Sequence, residues 1–121
     1  MKKREKVVLV VDDNREMREL VCEVLMDEGY AVLGAGEGRQ ALDMLKTIRA
    51  DLILSDIDMP VMNGLELARN AIAEDAAQRV LLMTGSGDAE ARRIAADLGL
   101  GIVNKPFQIT DLVARVKQLL H

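Results

Sequence analysis

The chain has 121 residues, a formal net charge of −4 and a hydrophobic content of 50%. This length suits one domain with a real core, and the hydrophobic content argues against disorder. The acidic balance disfavours nucleic acid as a direct ligand, and the single cysteine, Cys22, excludes an internal disulfide and a multi-cysteine metal site. No apolar run has transmembrane length, and the run after the lysine- and arginine-rich segment 1–6 is too short for a signal peptide. We therefore expect a cytoplasmic protein without membrane insertion.

Short apolar runs alternate with helical patterns along the chain. Strands are predicted at residues 7–11, 30–33, 52–56, 80–83 and 102–103. Apolar stripes at helical spacing follow these runs; Leu20 is assigned to the inner stripe of the first helix, and Asp88 is predicted as the N-cap of the fourth. A loop is predicted at residues 34–38 and a turn at Asn63-Gly64. Five strands alternating with five helices predict an α/β fold, in which one doubly wound parallel sheet carries helices on both faces.

Polar side chains occur where the predicted strands end. In chain order these side chains are Asp12, Asp13, Asp56, Thr84 and Lys105. In open α/β sheets, ligands bind outside the carboxyl ends of the strands, at the switch in strand order. If the order is 2-1-3-4-5, the first and third strands are neighbours. The three carboxylates then converge on one crevice, flanked by a hydroxyl and an ammonium group.

The charges in such a crevice predict a divalent metal ion. Three close carboxylates raise one another's pKa unless a cation intervenes. Lys105 adds one positive charge and a divalent ion adds two, which together neutralise the site. Ligands that are all oxygen select a hard ion, so Mg²⁺ is predicted, with Mn²⁺ able to substitute. A carboxylate can also accept a phosphoryl group as an acyl phosphate.

The chain resembles the receiver domains of two-component response regulators over essentially all of its length. The matching elements are Asp12-Asp13, residues 56–64, Thr84-Gly85 and Lys105-Pro106-Phe107. This resemblance implies one receiver domain over residues 1–121, with the flavodoxin-like strand order 2-1-3-4-5. It further implies Mg²⁺-dependent phosphorylation of Asp56 by a histidine kinase or a histidine phosphotransfer protein. Phosphorylation would then shift the conformation and the binding of an output partner.

The resemblance also implies a role for each acid. Asp13, Asp56 and the backbone carbonyl of Asp58 would hold Mg²⁺ directly. Asp12 would act mainly through bound water. The chain is therefore expected to be a signalling phosphoacceptor rather than an enzyme, although it would assist its own phosphorylation and dephosphorylation.

The groups that contact the phosphoryl follow from the same resemblance. Lys105 would contact a phosphoryl oxygen as a point charge, and Thr84 would donate its hydroxyl to the same group. The Lys105-Pro106 peptide is expected to be cis. An output protein or domain of unknown identity is expected to bind the face formed by the fourth helix, the fifth strand and the fifth helix.

Two positions depart from the pattern of the family. Ile102 lies three residues before Lys105, where relatives commonly carry an aromatic switch residue. Asp58 adds a carboxylate two positions after Asp56, at the rim of the site. It could change water access, metal affinity and the lifetime of the phosphoryl group.

Other interpretations remain open. Asp12 and Asp13 could simply cap a helix, because acids are common at N-caps. The Asp56-Ile57-Asp58 sequence also matches locally the Asp-x-Asp motif of haloacid dehalogenase-type phosphatases. In those enzymes the motif follows the first strand, whereas here an acidic pair comes first. The third alternative is a receiver-like interaction domain that acts without phosphorylation, which Ile102 would favour.

Overall fold

The computed structural model describes residues 5–85 and 87–121. Residues 1–4 of the predicted domain and Ser86 lie outside the described residues. In chain order the elements are β1 (Val7–Val11), α1 (Arg15–Asp27), β2 (Ala31–Ala35), α2 (Gly38–Leu45), β3 (Leu52–Asp56), α3 (Gly64–Glu74), β4 (Val80–Thr84), α4 (Ala89–Asp97), β5 (Gly101–Asn104) and α5 (Ile109–Leu120).

The five strands form one parallel sheet in the order β2-β1-β3-β4-β5. This confirms the predicted fold class and strand order. The three inner strands are nearly continuous apolar runs because both of their faces are covered by helices, as is typical of parallel sheets. The carboxyl ends of β1, β3, β4 and β5 therefore lie along one edge of the sheet.

The core consists of two apolar layers, one on each face of the sheet. Alternate strand residues point to opposite faces, so Ile53 belongs to one layer and Leu54 to the other. The layer with Ile53 is covered by α2, α3 and α4, whereas the layer with Leu54 is covered by α1 and α5. Each fully buried leucine contributes about 1.5–3 kcal/mol relative to an exposed one. Within the described residues, no helix combines the length and apolarity that a membrane crossing requires.

Polar side chains begin three of the helices. Asn14, Asn63 and Asp88 are the N-caps of α1, α3 and α4, and each accepts a hydrogen bond from a backbone N–H of the first turn. The predicted N-cap at Asp88 is therefore confirmed. Asp12 and Asp13 are not the caps of α1, which leaves both carboxylates for other contacts.

Several predicted boundaries were wrong by a few residues. Gly34 and Ala35 were predicted in a loop, but they extend β2 because they pair with the end of β1. Asn63 and Gly64 were predicted as a turn, whereas they are the N-cap and first residue of α3. Leu20 was assigned to the inner stripe of α1 but is 45% exposed, because Val21 and Leu25 define the buried side.

Candidate functional site

The order of the strands gathers three acids at one point of the sheet edge. Asp12 and Asp13 directly follow β1, and Asp56 is the last residue of the neighbouring strand β3. One carboxylate oxygen from each of the three acids lies within 4.8 Å of the others. Asp12 and Asp56 are buried, whereas Asp13 is exposed. The predicted convergence of the carboxylates is thus present in the structure.

Lys105 supplies the positive charge of this cluster. Its Nζ lies 3.3 Å from Oδ2 of Asp12 and 3.5 Å from Oδ1 of Asp56. Its backbone N–H donates to the carbonyl of Thr84 at 2.7 Å, which joins the ends of β5 and β4. The Lys105-Pro106 peptide is cis, as predicted.

Burial has the largest effect on the pKa of Asp56. It raises the pKa of this carboxyl above its ordinary value, and the nearby charges of Asp12 and Asp58 raise the pKa further. Lys105 opposes this shift by attraction, and the backbone N–H of Asp58 opposes it by donating to Oδ1 of Asp56 at 3.4 Å. The net pKa is still raised, so the anion of Asp56 is stabilised less than it would be in water. A cation at this point would relieve that cost.

Thr84 lies at the end of β4 beside the same cluster and is only 3% exposed. Its hydroxyl donates to Oδ2 of Asp58 at 3.2 Å. The sequence did not predict this contact, because the two residues are 26 positions apart and meet only through the pairing of β3 with β4. In the sequence, the only indication of this contact was the expected position of Asp58 at the rim of the site.

Two further residues support the acids and were not predicted from the sequence. Arg18 of α1 donates from Nη1 to the backbone carbonyl of Asp12 at 2.8 Å, which holds the chain where it leaves β1. Gly64 approaches the backbone of Asp56 so closely that a Cβ atom there would lie 2.4 Å from the carbonyl oxygen of Asp56. The Asn63-Gly64 pair in the sequence was a signal for a special backbone position, but not for this contact.

The donors of the cluster fit a hard divalent ion. All three are carboxylate oxygens, and their combined charge exceeds the single positive charge of Lys105. Mg²⁺ takes one or two carboxylates and keeps several waters, so the exposed side of Asp13 suits its hydration. The contribution of the Asp58 backbone carbonyl stays a prediction.

A family model described as the response regulator receiver domain matches residues 8–117 of the chain. The chain belongs to this family. The matched range of this receiver domain includes Asp12, Asp13, Asp56, Asp58 and Lys105. Among curated proteins, it is similar to sporulation initiation phosphotransferase F of Bacillus subtilis (strain 168), with 37% identity over 114 residues that cover 93% of this chain and 92% of the relative.

Solved structures support the same assignment of the receiver domain. Chemotaxis protein CheY4 of Vibrio cholerae has a TM-score of 0.90 and 32% identity, covering 97% of this chain and 100% of that one. The response regulator TrrA of Thermotoga maritima, solved in complex with Mg²⁺ and BeF, has a TM-score of 0.85 and 33% identity, covering 95% of this chain and 99% of that one. Other relatives are longer: the receiver domain spans 49% of the transcriptional regulatory protein CpxR of Escherichia coli (strain K12), at 37% identity over 115 residues that cover 94% of this chain.

Proposed function

We propose that residues 1–121 act as one receiver domain that accepts a phosphoryl group on Asp56 in a Mg²⁺-dependent reaction. The phosphoryl donor would be a phosphohistidine of a histidine kinase or of a histidine phosphotransfer protein. The observation that supports this most directly is the convergence of Asp12, Asp13 and Asp56 within 4.8 Å, beside the ammonium group of Lys105. A structural neighbour that carries Mg²⁺ and BeF supports the same chemistry.

In the proposed transfer, a carboxylate oxygen of Asp56 attacks the phosphorus atom. The new oxygen–phosphorus bond forms while the nitrogen–phosphorus bond of the donor breaks, and the donor imidazole leaves with the electron pair. Asp56 must be ionised for this attack. The Lys105 ammonium favours that form because it lowers the pKa that burial has raised.

The neighbouring residues would have the roles that the family resemblance implies. Asp13, Asp56 and the backbone carbonyl of Asp58 would hold Mg²⁺, and Asp12 would act mainly through bound water, with Mn²⁺ able to replace Mg²⁺. When bound, the ion offsets the negative charge of the carboxylates and of the phosphoryl oxygens. Lys105 would contact a phosphoryl oxygen.

Thr84 would donate a hydrogen bond from its hydroxyl to the phosphoryl group. The inward movement of Thr84 that this requires would begin the conformational change. We expect a shift between two packings of the same fold, read by an output protein or domain on the face formed by α4, β5 and α5. Ile102 lies on this face and is half-buried, so the response here would not use a rotating aromatic ring. Membership of the family supports this view, and a cytoplasmic location is part of the same proposal.

The proposed role is that of a stoichiometric phosphoacceptor and not of a phosphatase. Asp56 ends the third strand and Asp58 follows it, whereas the acidic pair follows the first strand. This is the order of the receiver family and not of the haloacid dehalogenase type. Turnover of an added phosphomonoester would favour the phosphatase. A folded protein that is never phosphorylated would favour the phosphorylation-independent interaction domain.

Incubation with acetyl phosphate and Mg²⁺, followed by intact mass measurement, tests the proposal. The wild type should gain one phosphoryl group, whereas Asp56→Asn should gain none, because an amide is not a nucleophile of this kind. The matched control is Asp97→Asn, an exposed acid in the last turn of α4, which should be labelled like the wild type. Labelling of folded Asp56→Asn, or none of the wild type, would contradict the proposal.

A further inference from the structure

The carboxylate side chain of Asp58 has a contact that the proposed function does not use. Its Oδ2 atom accepts a hydrogen bond from the hydroxyl of Thr84, with 3.2 Å between the two oxygens. Asp58 is exposed at the rim, whereas Thr84 is buried. The two residues are held near each other because Asp56 pairs with Met83 where β3 and β4 end. The contact therefore depends on the pairing of β3 with β4, although Asp58 itself lies in a loop.

This contact competes with the phosphoryl group. A hydroxyl has a single hydrogen, so Thr84 can donate strongly to one acceptor at a time. The proposed function requires that hydrogen for the phosphoryl group on Asp56. We propose that Asp58 is a positioning residue that holds the Thr84 hydroxyl in the unphosphorylated arrangement. The phosphoryl group must then displace the Asp58 carboxylate as the acceptor of that hydroxyl. This inference rests on the proposed function.

The expected direction is that Asp58 opposes the phosphorylated state. A hydrogen bond to a charged acceptor is stronger than a neutral one, but the carboxylate is exposed and the distance is long for a hydroxyl donor. The lost contact should therefore correspond to a moderate factor in affinity for a phosphoryl mimic, on the order of threefold to tenfold. Removal of Asp58 should tighten binding by that factor.

The charge of Asp58 would also weaken the binding of a phosphoryl mimic, and this effect must be separated from that of the contact with Thr84. Its negative charge would repel a bound anion even if it made no contact with Thr84. A pure charge effect depends only on whether position 58 is charged, so Asp58→Asn and Asp58→Ala would act equally. The proposed contact instead depends on an acceptor atom, which the asparagine amide oxygen retains and alanine lacks.

The test is the affinity of the protein for beryllium fluoride in saturating Mg²⁺, measured by titration calorimetry. Wild type, Asp58→Ala, Asp58→Asn, Thr84→Val and the double variant Asp58→Ala/Thr84→Val are compared. We expect Asp58→Ala to bind roughly threefold to tenfold more tightly than wild type, with a smaller gain for Asp58→Asn. In the Thr84→Val background, the gain from Asp58→Ala should be clearly smaller than in the wild-type background, because there is no hydroxyl to release and only the charge effect is left.

Asp97→Ala is the control for the change in net charge and should bind like the wild type. Equal gains for Asp58→Ala and Asp58→Asn, an undiminished gain from Asp58→Ala beside Thr84→Val, or no gain at all would overturn the inference alone. Failure of the folded wild type to bind beryllium fluoride would overturn the proposed function, and the inference with it.

Discussion

At the scale of single residues, the ionisation of Asp56 sets the properties of the site. Burial, Asp12 and Asp58 raise the pKa of its carboxyl, and Lys105 lowers it by a smaller amount. The folded chain without metal therefore carries an anion that is held less favourably than in the unfolded chain. The folded protein should therefore be stabilised by a cation at the site or by an uncharged side chain at position 56.

Asp56→Asn should stabilise the metal-free protein near neutral pH. The folded-state pKa of Asp56 lies above its ordinary value of 3.8, so the folded chain holds the proton more tightly than the unfolded chain. Stability due to this group falls as pH rises from the ordinary pKa through the raised one, and the loss is complete above it. A gain of about 1 kcal/mol would raise Tm by roughly 2–8 °C in a domain of this size.

Thermal melts in EDTA between about pH 4 and pH 8 check this expectation. The difference in Tm between Asp56→Asn and wild type should be largest at the neutral end and should shrink as Asp56 becomes protonated. Asp97→Asn, which changes the same chemical group at an exposed position, should show no such trend. A difference that does not vary with pH would contradict the role of Asp56 burial.

At the scale of elements, the junction between β3 and α3 positions the site. The N–H of Gly64, the first residue of α3, donates to the carbonyl of Ile57 at 3.1 Å, while Asn63 caps the helix. This brings the start of α3 against the backbone of Asp56, within a distance that leaves no room for a side chain. The absence of a Cβ at Gly64 is therefore what allows the loop after Asp56 to close.

Gly64→Ala should destabilise the protein by about 1–3 kcal/mol, because the new Cβ would meet the backbone of Asp56 and force it to shift. Gly34→Ala is the matched control, since a Cβ at that β2 position would make only ordinary contacts, at 3.5 Å or more, with Arg18 and Cys22. Urea unfolding measures both variants. Equal stability of Gly64→Ala and wild type would show that the junction tolerates a side chain.

At the scale of the whole molecule, the sheet couples the cluster of three acids to global stability. The three acids meet only when β1 and β3 are paired, so the unfolded chain offers no such cluster. An ion that binds the folded state alone stabilises it by mass action. The effect is about 1.4 kcal/mol when the free ion exceeds its Kd roughly tenfold.

Millimolar Mg²⁺ should therefore raise the Tm of wild type by a few degrees over its value in EDTA. Asp13→Asn should weaken this response, because it removes the exposed ligand oxygen while leaving the buried pair of Asp12 and Asp56 in place. Differential scanning calorimetry over a series of Mg²⁺ concentrations checks both expectations. An unchanged Tm of wild type in Mg²⁺ would count against a metal site at this edge.

The sequence by itself determined the features that depend on neighbouring residues. Unbroken apolar runs predicted the cores of β1 and β3, and Asp88 was recognised as a cap, because these signals act within one turn or one strand. The spacing of the acids relative to the strands, with the family resemblance, also predicted which side chains would converge. Boundaries were less accurate, as in β2, because pairing with β1 extended the strand beyond its apolar run.

Only the tertiary structure decided how these groups act on one another. Lys105 reaches Asp12 across 93 positions of the chain, and Thr84 reaches Asp58 across 26. The pKa of Asp56 depends on burial and on charges from three separate segments, so its direction required the packed molecule. Such distances follow from strand pairing and helix packing, and these depend on contacts that no local pattern contains.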